Sequence, residues 1–273
     1  MWMRAAGIAL PREDFTPGEC VDGQVVVQND KQFNCSRVSI SLFGEEMSRI
    51  VHGGGEDSHV HKEKRTHIDY QLPLWGPGQI PAGESRFDFS LILPSGLPPS
   101  YAGPHGNISY VLKAKVEIPR SFDLNSSRSV QVVWVGSPAV GERKTGIIER
   151  AGVRVLYVEV ESDIIGPAAD IPVRFILGGE AKCRGIRLQI LSCEAVAPEG
   201  CSKTSESVVA ESYYRVDEIH PGLWAEHLFR MDSRLPPTFR TELIELTYQL
   251  KVILDIPWGP DQAISIPFRA AGF

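Results

Sequence analysis

Absences narrow the function of this chain more than its contents do. Five cysteines, Cys20, Cys35, Cys183, Cys193 and Cys201, are spread over 273 residues. The count is odd and no two have CxxC spacing, which argues for reduced thiols and against a disulfide framework or a zinc site. In that setting the sequons that begin at Asn34, Asn107 and Asn125 are chance triplets. No apolar run approaches the roughly 18–20 residues that cross a bilayer, and no charged-then-apolar leader opens the chain. A cytoplasmic protein without direct membrane insertion is therefore expected. The net charge is only −6, without the clustered basic excess of nucleic-acid binders, so no nucleic-acid partner is expected. There is no GxSxG, HExxH or P-loop, and hence no expectation of catalysis or of a cofactor. Nor does any stretch of about 10 residues read as a helix capped at both ends.

What remains is alternation. Ile108, Tyr110, Leu112, Ala114, Val116 and Ile118 share one phase, while Ser109, Lys113, Lys115 and Glu117 occupy the other. That is the pattern of a half-buried strand; on a helix the same apolar groups would scatter around the axis. Val38, Ile40 and Leu42 alternate in the same way, as do Phe87, Phe89, Leu91 and Leu93, and Ile171, Val173, Phe175 and Leu177. Twenty-five glycines and 20 prolines punctuate these runs in turns such as Trp75-Gly76-Pro77-Gly78. Many short strands with frequent turns predict antiparallel sandwiches.

The chain also repeats itself. Leu97–Pro119 and Leu235–Pro257 align over 23 residues without a gap, at an offset of 138 (235 − 97), with eight identical positions. Upstream, Phe87, Phe89, Leu91 and Leu93 fall on Ala225, His227, Phe229 and Met231 at the same offset. Two copies of domain size predict two similar sandwiches in tandem and not a solenoid. The expected division is residues 1–138, a polar linker over 139–152, and residues 153–273.

Several motifs, taken in order, resemble a known family. Thr16-Pro17-Gly18-Glu19 is followed by Asp22-Gly23-Gln24-Val25, Phe43-Gly44, Ile80-Pro81-Ala82-Gly83 and Phe87-x-Phe89. Leu97-Pro98-Pro99-Ser100-Tyr101 and the strand with Tyr110-x-Leu112-Lys113-Ala114 complete the series. It is similar to the opening domain of the arrestin-like superfamily, closest to its α-arrestin (arrestin-domain-containing) branch. Leu235-Pro236-Pro237-Thr238-Phe239 and Tyr248-x-Leu250-Lys251-Val252 look like the second arrestin domain. The resemblance implies an all-β chain of two tandem immunoglobulin-like sandwiches. It also implies a non-enzymatic adaptor or scaffold for protein partners, including cytoplasmic tails of membrane proteins, in trafficking or signalling. The alternative it offers is a retromer-type coat subunit or a sporulation-control-type regulatory subunit in an obligate complex. An adaptor would be a monomer when isolated; a coat subunit would bring a stoichiometric partner.

Three sites invite attention. Pro98-Pro99-Ser100-Tyr101 fits the PPxY pattern read by WW domains. Its copy, Pro236-Pro237-Thr238-Phe239, lacks the tyrosine but keeps its surroundings, and α-arrestins carry such motifs in a tail that would lie beyond Phe273, so a structural role in the turn is expected. His52, His59, His61 and His67 gather in one Gly-rich, charged segment, where His59 and His61 at i, i+2 are the candidates for a metal. No cysteine is near in sequence, and a solvated hairpin is the expected role. The resemblance further implies a buried charge latch between Asp22 and Arg128, with Arg128 ten residues before Pro138. The acids that would complete it before the second long strand are missing from "LPPTFRT". Lys113, Lys115 and Lys251 read as solvent-facing strand lysines.

Overall fold

The computed structural model describes residues 4–53, 59–135, 140–166, 170–231 and 235–272. They are almost entirely strand; the helical element among them is a single 3-10 turn, Val216–Glu218. The chain forms two compact units. One comprises Met1–Trp134 with Pro198–Cys201, the other Val135–Ala197 with Ser202–Phe273.

In the first unit a three-stranded sheet runs in the order β1 (Arg4–Ala9), β3 (Cys20–Asn29), β8 (Gly83–Ile92). A larger sheet runs β2 (Asp14–Phe15), β11 (Leu124–Val132), β10 (Gly106–Glu117), β5 (Arg37–His52), β6 (His59–Trp75), with β9 (Tyr101–Ala102) on β10. A short pair, β4 (Phe33–Cys35) with β7 (Gly78–Ile80), closes one corner. The alternation of β10 resolves as expected: Ile108, Tyr110, Leu112, Ala114 and Val116 are buried between the sheets. Burying each large side chain of this kind contributes about 1.5–3 kcal/mol. Gly44 stands opposite Tyr110 in the ladder, and a Cβ there would come within 2.5 Å of the tyrosine ring. Only glycine leaves the ring its place.

The second unit repeats this plan. One sheet is ordered β12 (Lys144–Arg150), β13 (Val153–Val160), β15 (Ile171–Leu177), β18 (Trp224–Phe229). The other is β14 (Ile164–Ile165), β21 (Gln262–Ala270), β20 (Ile244–Asp255), β16 (Gly185–Val196), β17 (Lys203–Arg215), with β19 (Phe239–Arg240) on β20. β20 buries every second residue, as β10 does. The fold is thus the all-β, antiparallel sandwich architecture that the alternation predicts.

One expectation needs correcting. Residues 139–152, read as a linker, contain the strand β12, paired along β13 from Lys144↔Val160 to Arg150↔Val153. Its own pattern is weak, since Ile148 is buried while its neighbour Ile147 is 41% exposed. The ladder with β13, and not local periodicity, makes it a strand. Residues 136–139, where the first domain was expected to end, lie outside the described residues.

The sequence repeat is a repeat of hydrogen bonds. Tyr110 Oη donates to the Pro98 carbonyl at 2.7 Å, and Tyr248 Oη to the Pro236 carbonyl at 2.8 Å. The Val132 amide donates to Ser100 Oγ and the Ala270 amide to Thr238 Oγ1, both at 2.9 Å. The Ile118 amide donates to Asp123 Oδ1 at 3.1 Å and the Ile256 amide to Asp261 Oδ1 at 3.0 Å. Each pair is related by the offset of 138. The tyrosine bond ties the turn to the long strand in the manner of a tyrosine corner.

Candidate functional site

The outer face of the larger sheet in the first unit carries a shallow polar surface on which a partner could dock. By register, Gln71, Ser41, Lys113 and Ser127 form one row across β6, β5, β10 and β11. Ser39, Lys115 and Asn125 form the next. Small side chains at the centre of a sheet face leave a shallow trough, and these residues line one. Ser41 Oγ donates to the Lys113 carbonyl at 3.4 Å, and Gln71 Nε2 to Ser39 Oγ at 3.4 Å. Lys115 is bound by Glu117 and Asp123, both at 3.2 Å, and these two carboxylates hold its ammonium above the usual lysine range. Lys113 has no such acid among the described residues; its ammonium lies 5.0 Å from the centre of the Phe43 ring, a cation–π distance. The trough therefore presents hydroxyls, amides and one cation not neutralised by a carboxylate. It is flanked by β6, the end strand of its sheet, whose residues are largely exposed.

The residues singled out from the sequence fall as follows. Pro98 and Pro99 are buried, and Tyr101 is buried on β9 at the slot that Phe239 fills in the second unit. A WW domain needs its ligand accessible, so this segment in the folded chain is a turn element. The Asp22–Arg128 latch does not form. Asp22 is exposed on β3, while Arg128 donates to Glu13 Oε1 at 3.0 Å and to the Ile8 carbonyl at 3.1 Å. The second unit holds a parallel pair, with Arg269 3.3 Å from Asp163. The acids are register equivalents: the Gln131 amide donates to the Glu13 carbonyl and the Arg269 amide to that of Asp163. Each arginine fastens the short first strand of its sheet to the last one. With Arg128 33% and Glu13 64% exposed, the pair contributes about 0–1 kcal/mol.

His59 lies opposite His52, and His61 opposite Ile50, at the end of the hairpin where β5 leads into β6. The two candidates thus share a face, as i, i+2 spacing on a strand requires. What the sequence did not show is a thiol beside them. Cys201 Sγ lies 2.9 Å from His52 Nε2, and one ligand atom each from His52, His61 and Cys201 lies within 4.8 Å of the others. His67, by contrast, is bound to Glu46 at 3.0 Å.

Glu46 is fully buried, and Glu194 nearly so. They stand opposite Ile108 and Leu246, residues related by the offset of 138, so each sandwich carries an inward glutamate at the same position. Glu46 stands four residues after Leu42, in the phase of the buried Val38, Ile40 and Leu42, and that phase is the sequence signal for its inward position.

Comparison with known proteins agrees with this architecture. Residues 8–135 match the family described as arrestin (or S-antigen), N-terminal domain. Over 106 residues the chain is 27% identical to arrestin domain-containing protein 1 of Homo sapiens, which covers 39% of this chain and 24% of that protein. The protein of the same name from Rattus norvegicus is 26% identical over 106 residues, and that from Mus musculus 35% over 57 residues. The match spans about a quarter or less of the length of these relatives (24% and 13%). The first unit thus matches an arrestin-type N-terminal domain.

Proposed function

We propose that this arrestin-like chain is a non-enzymatic adaptor that holds extended segments of protein partners. The observation that supports the reading is the serine-lined trough beside the β6 edge, where Lys113 stands without a carboxylate partner among the described residues. An extended peptide laid along β6 would gain main-chain hydrogen bonds from the end strand, and its alternate side chains would reach the hydroxyls and the lysine. The charged run Lys62-Glu63-Lys64-Arg65 guards the far half of β6 against indiscriminate pairing. That leaves the half that includes Tyr70, Gln71 and Leu72, next to the trough, for selective recognition. A cytoplasmic tail of a membrane protein, extended and often acidic, has the right form and charge. No helix among the described residues is long and apolar enough to cross a membrane, so a membrane location would come through such a partner.

The test is an array of synthetic cytoplasmic-tail peptides probed with the whole chain, its Lys113→Glu variant and its Ser41→Trp variant. A subset of peptides should bind, with affinity reduced about tenfold or more, roughly 1.4 kcal/mol, in either variant. Binding unchanged in both would remove the trough from the account. Light scattering on the isolated chain should give a monomer; a single equimolar partner recovered from native lysate would instead favour a coat subunit.

A further inference from the structure

The geometry points to a zinc-class metal site formed by His52, His61 and Cys201. The three belong to the first compact unit, which includes Pro198–Cys201. His52 and His61 sit diagonally across the β5–β6 ladder, and their rings meet edge to face with centroids 5.6 Å apart. The rings are thus not stacked, and a nitrogen of each lies within 4.8 Å of the other and of the Cys201 sulfur. The thiol arrives from a turn fixed by two bonds of its own: the Cys201 amide donates to the Pro198 carbonyl at 3.0 Å, and the Glu199 amide to Glu63 Oε2 at 2.6 Å.

The distances suit a small tetrahedral ion. With metal–nitrogen bonds of about 2.0–2.1 Å and a metal–sulfur bond of about 2.3 Å, a tetrahedral angle separates nitrogen from sulfur by about 3.6 Å. His52 Nε2 and Cys201 Sγ are 2.9 Å apart, and no pair in the trio exceeds 4.8 Å. Shifts of about 1 Å, shared among side chains that are exposed or partly so, would seat the ion. Two imidazole nitrogens and one sulfur form a borderline-soft set that favours zinc and cobalt and disfavours the hard oxygen-seeking magnesium and calcium. On binding, Cys201 gives its thiol proton to solvent and becomes the thiolate ligand. The fourth position is open to water, because His52 is exposed.

The test uses the whole chain, stripped with a chelator and titrated with cobalt(II), then with zinc(II). Cobalt should bind one equivalent per chain, with the visible absorption of a tetrahedral ion and a thiolate-to-cobalt charge-transfer band. Zinc should displace it, and magnesium should not. Cys201→Ser should abolish the charge-transfer band, while Cys183→Ser and Cys193→Ser should keep it. His52→Ala and His61→Ala should each weaken binding about tenfold or more, since loss of even an outer partner of a ligand costs about 10–100-fold. Circular dichroism of each variant separates loss of a ligand from loss of the fold. No stoichiometric cobalt binding, or a band unchanged in folded Cys201→Ser, would overturn the proposal.

Discussion

The two sandwiches share a frame and differ in what they display on it. Lys113 of the first and Lys251 of the second occupy the same outward position on their central strands. Around Lys251 the face is filled: its ammonium is 3.6 Å from Glu206, Gln249 donates to Glu206 at 3.0 Å, and Arg187 lies 3.8 Å from Glu211. Around Lys113 the corresponding neighbours are serines, and its ammonium lies over the Phe43 ring. Long paired side chains close a sheet face to visitors, because each pairing would have to be broken before a partner could dock. Short hydroxyls leave it open. Duplication conserves the buried bonds that set the turn and frees the outer face to diverge.

The deepest shared feature is the core of the central strands, and breaking it should have the largest effect. Leu112→Ala and Leu250→Ala, at equivalent, fully buried positions, should each cost about 2–5 kcal/mol in denaturant unfolding. A clear inequality between them would show that one sandwich relaxes around a cavity and the other does not. Next come the turn-tying tyrosines. Tyr110→Phe and Tyr248→Phe each leave a proline carbonyl without its donor, at about 1–3 kcal/mol. Burial pushes both phenols well above the ordinary tyrosine range, so neither bond should weaken on raising the pH into the alkaline range where exposed tyrosines titrate. If one substitution were silent, the turn it serves would be held by the amide–hydroxyl bond to Ser100 or Thr238 alone.

The smallest effect concerns a position where the two cores differ. His227 falls where the first unit has Phe89. Its ring meets Phe229 edge-on at 4.4 Å between centroids, and Nδ1 is 2.6 Å from Tyr214 Oη. Burial lowers its pKa below the ordinary 6.5, so the folded state binds fewer protons than the unfolded one. Stability from this group is present above the unfolded value and is lost as the pH falls through the folded one. The native chain should therefore lose thermal stability on acidification below about pH 6.5, and His227→Phe should lose less of it, by a few degrees in midpoint. Equal acid sensitivity in both would place the titrating group elsewhere.

Much of this was readable in the chain. Ile108 to Ile118 alternates strictly because a sheet with one face buried demands it, and the 23-residue repeat exposed the duplication. Pro98-Pro99 could be read as a turn because its copy kept the prolines and lost the tyrosine. Other features were out of reach. Asp22 and Arg128 matched a spacing, but spacing does not reveal which acid the arginine meets; Glu13 lies one ladder away. β12 carries too few apolar residues to announce itself. Cys201 is 149 residues from His52, and no local pattern joins them.

The sequence by itself determined the period, the strands, the duplication and the inward faces, since these depend on neighbours two residues apart or on copies of one segment. Tertiary structure alone decided which charge meets which, and that a thiol meets two imidazoles at a hairpin end. Those outcomes depend on ladder register and on turns that bring distant segments together, and a side chain's partner across space leaves no mark on the residues beside it in the chain.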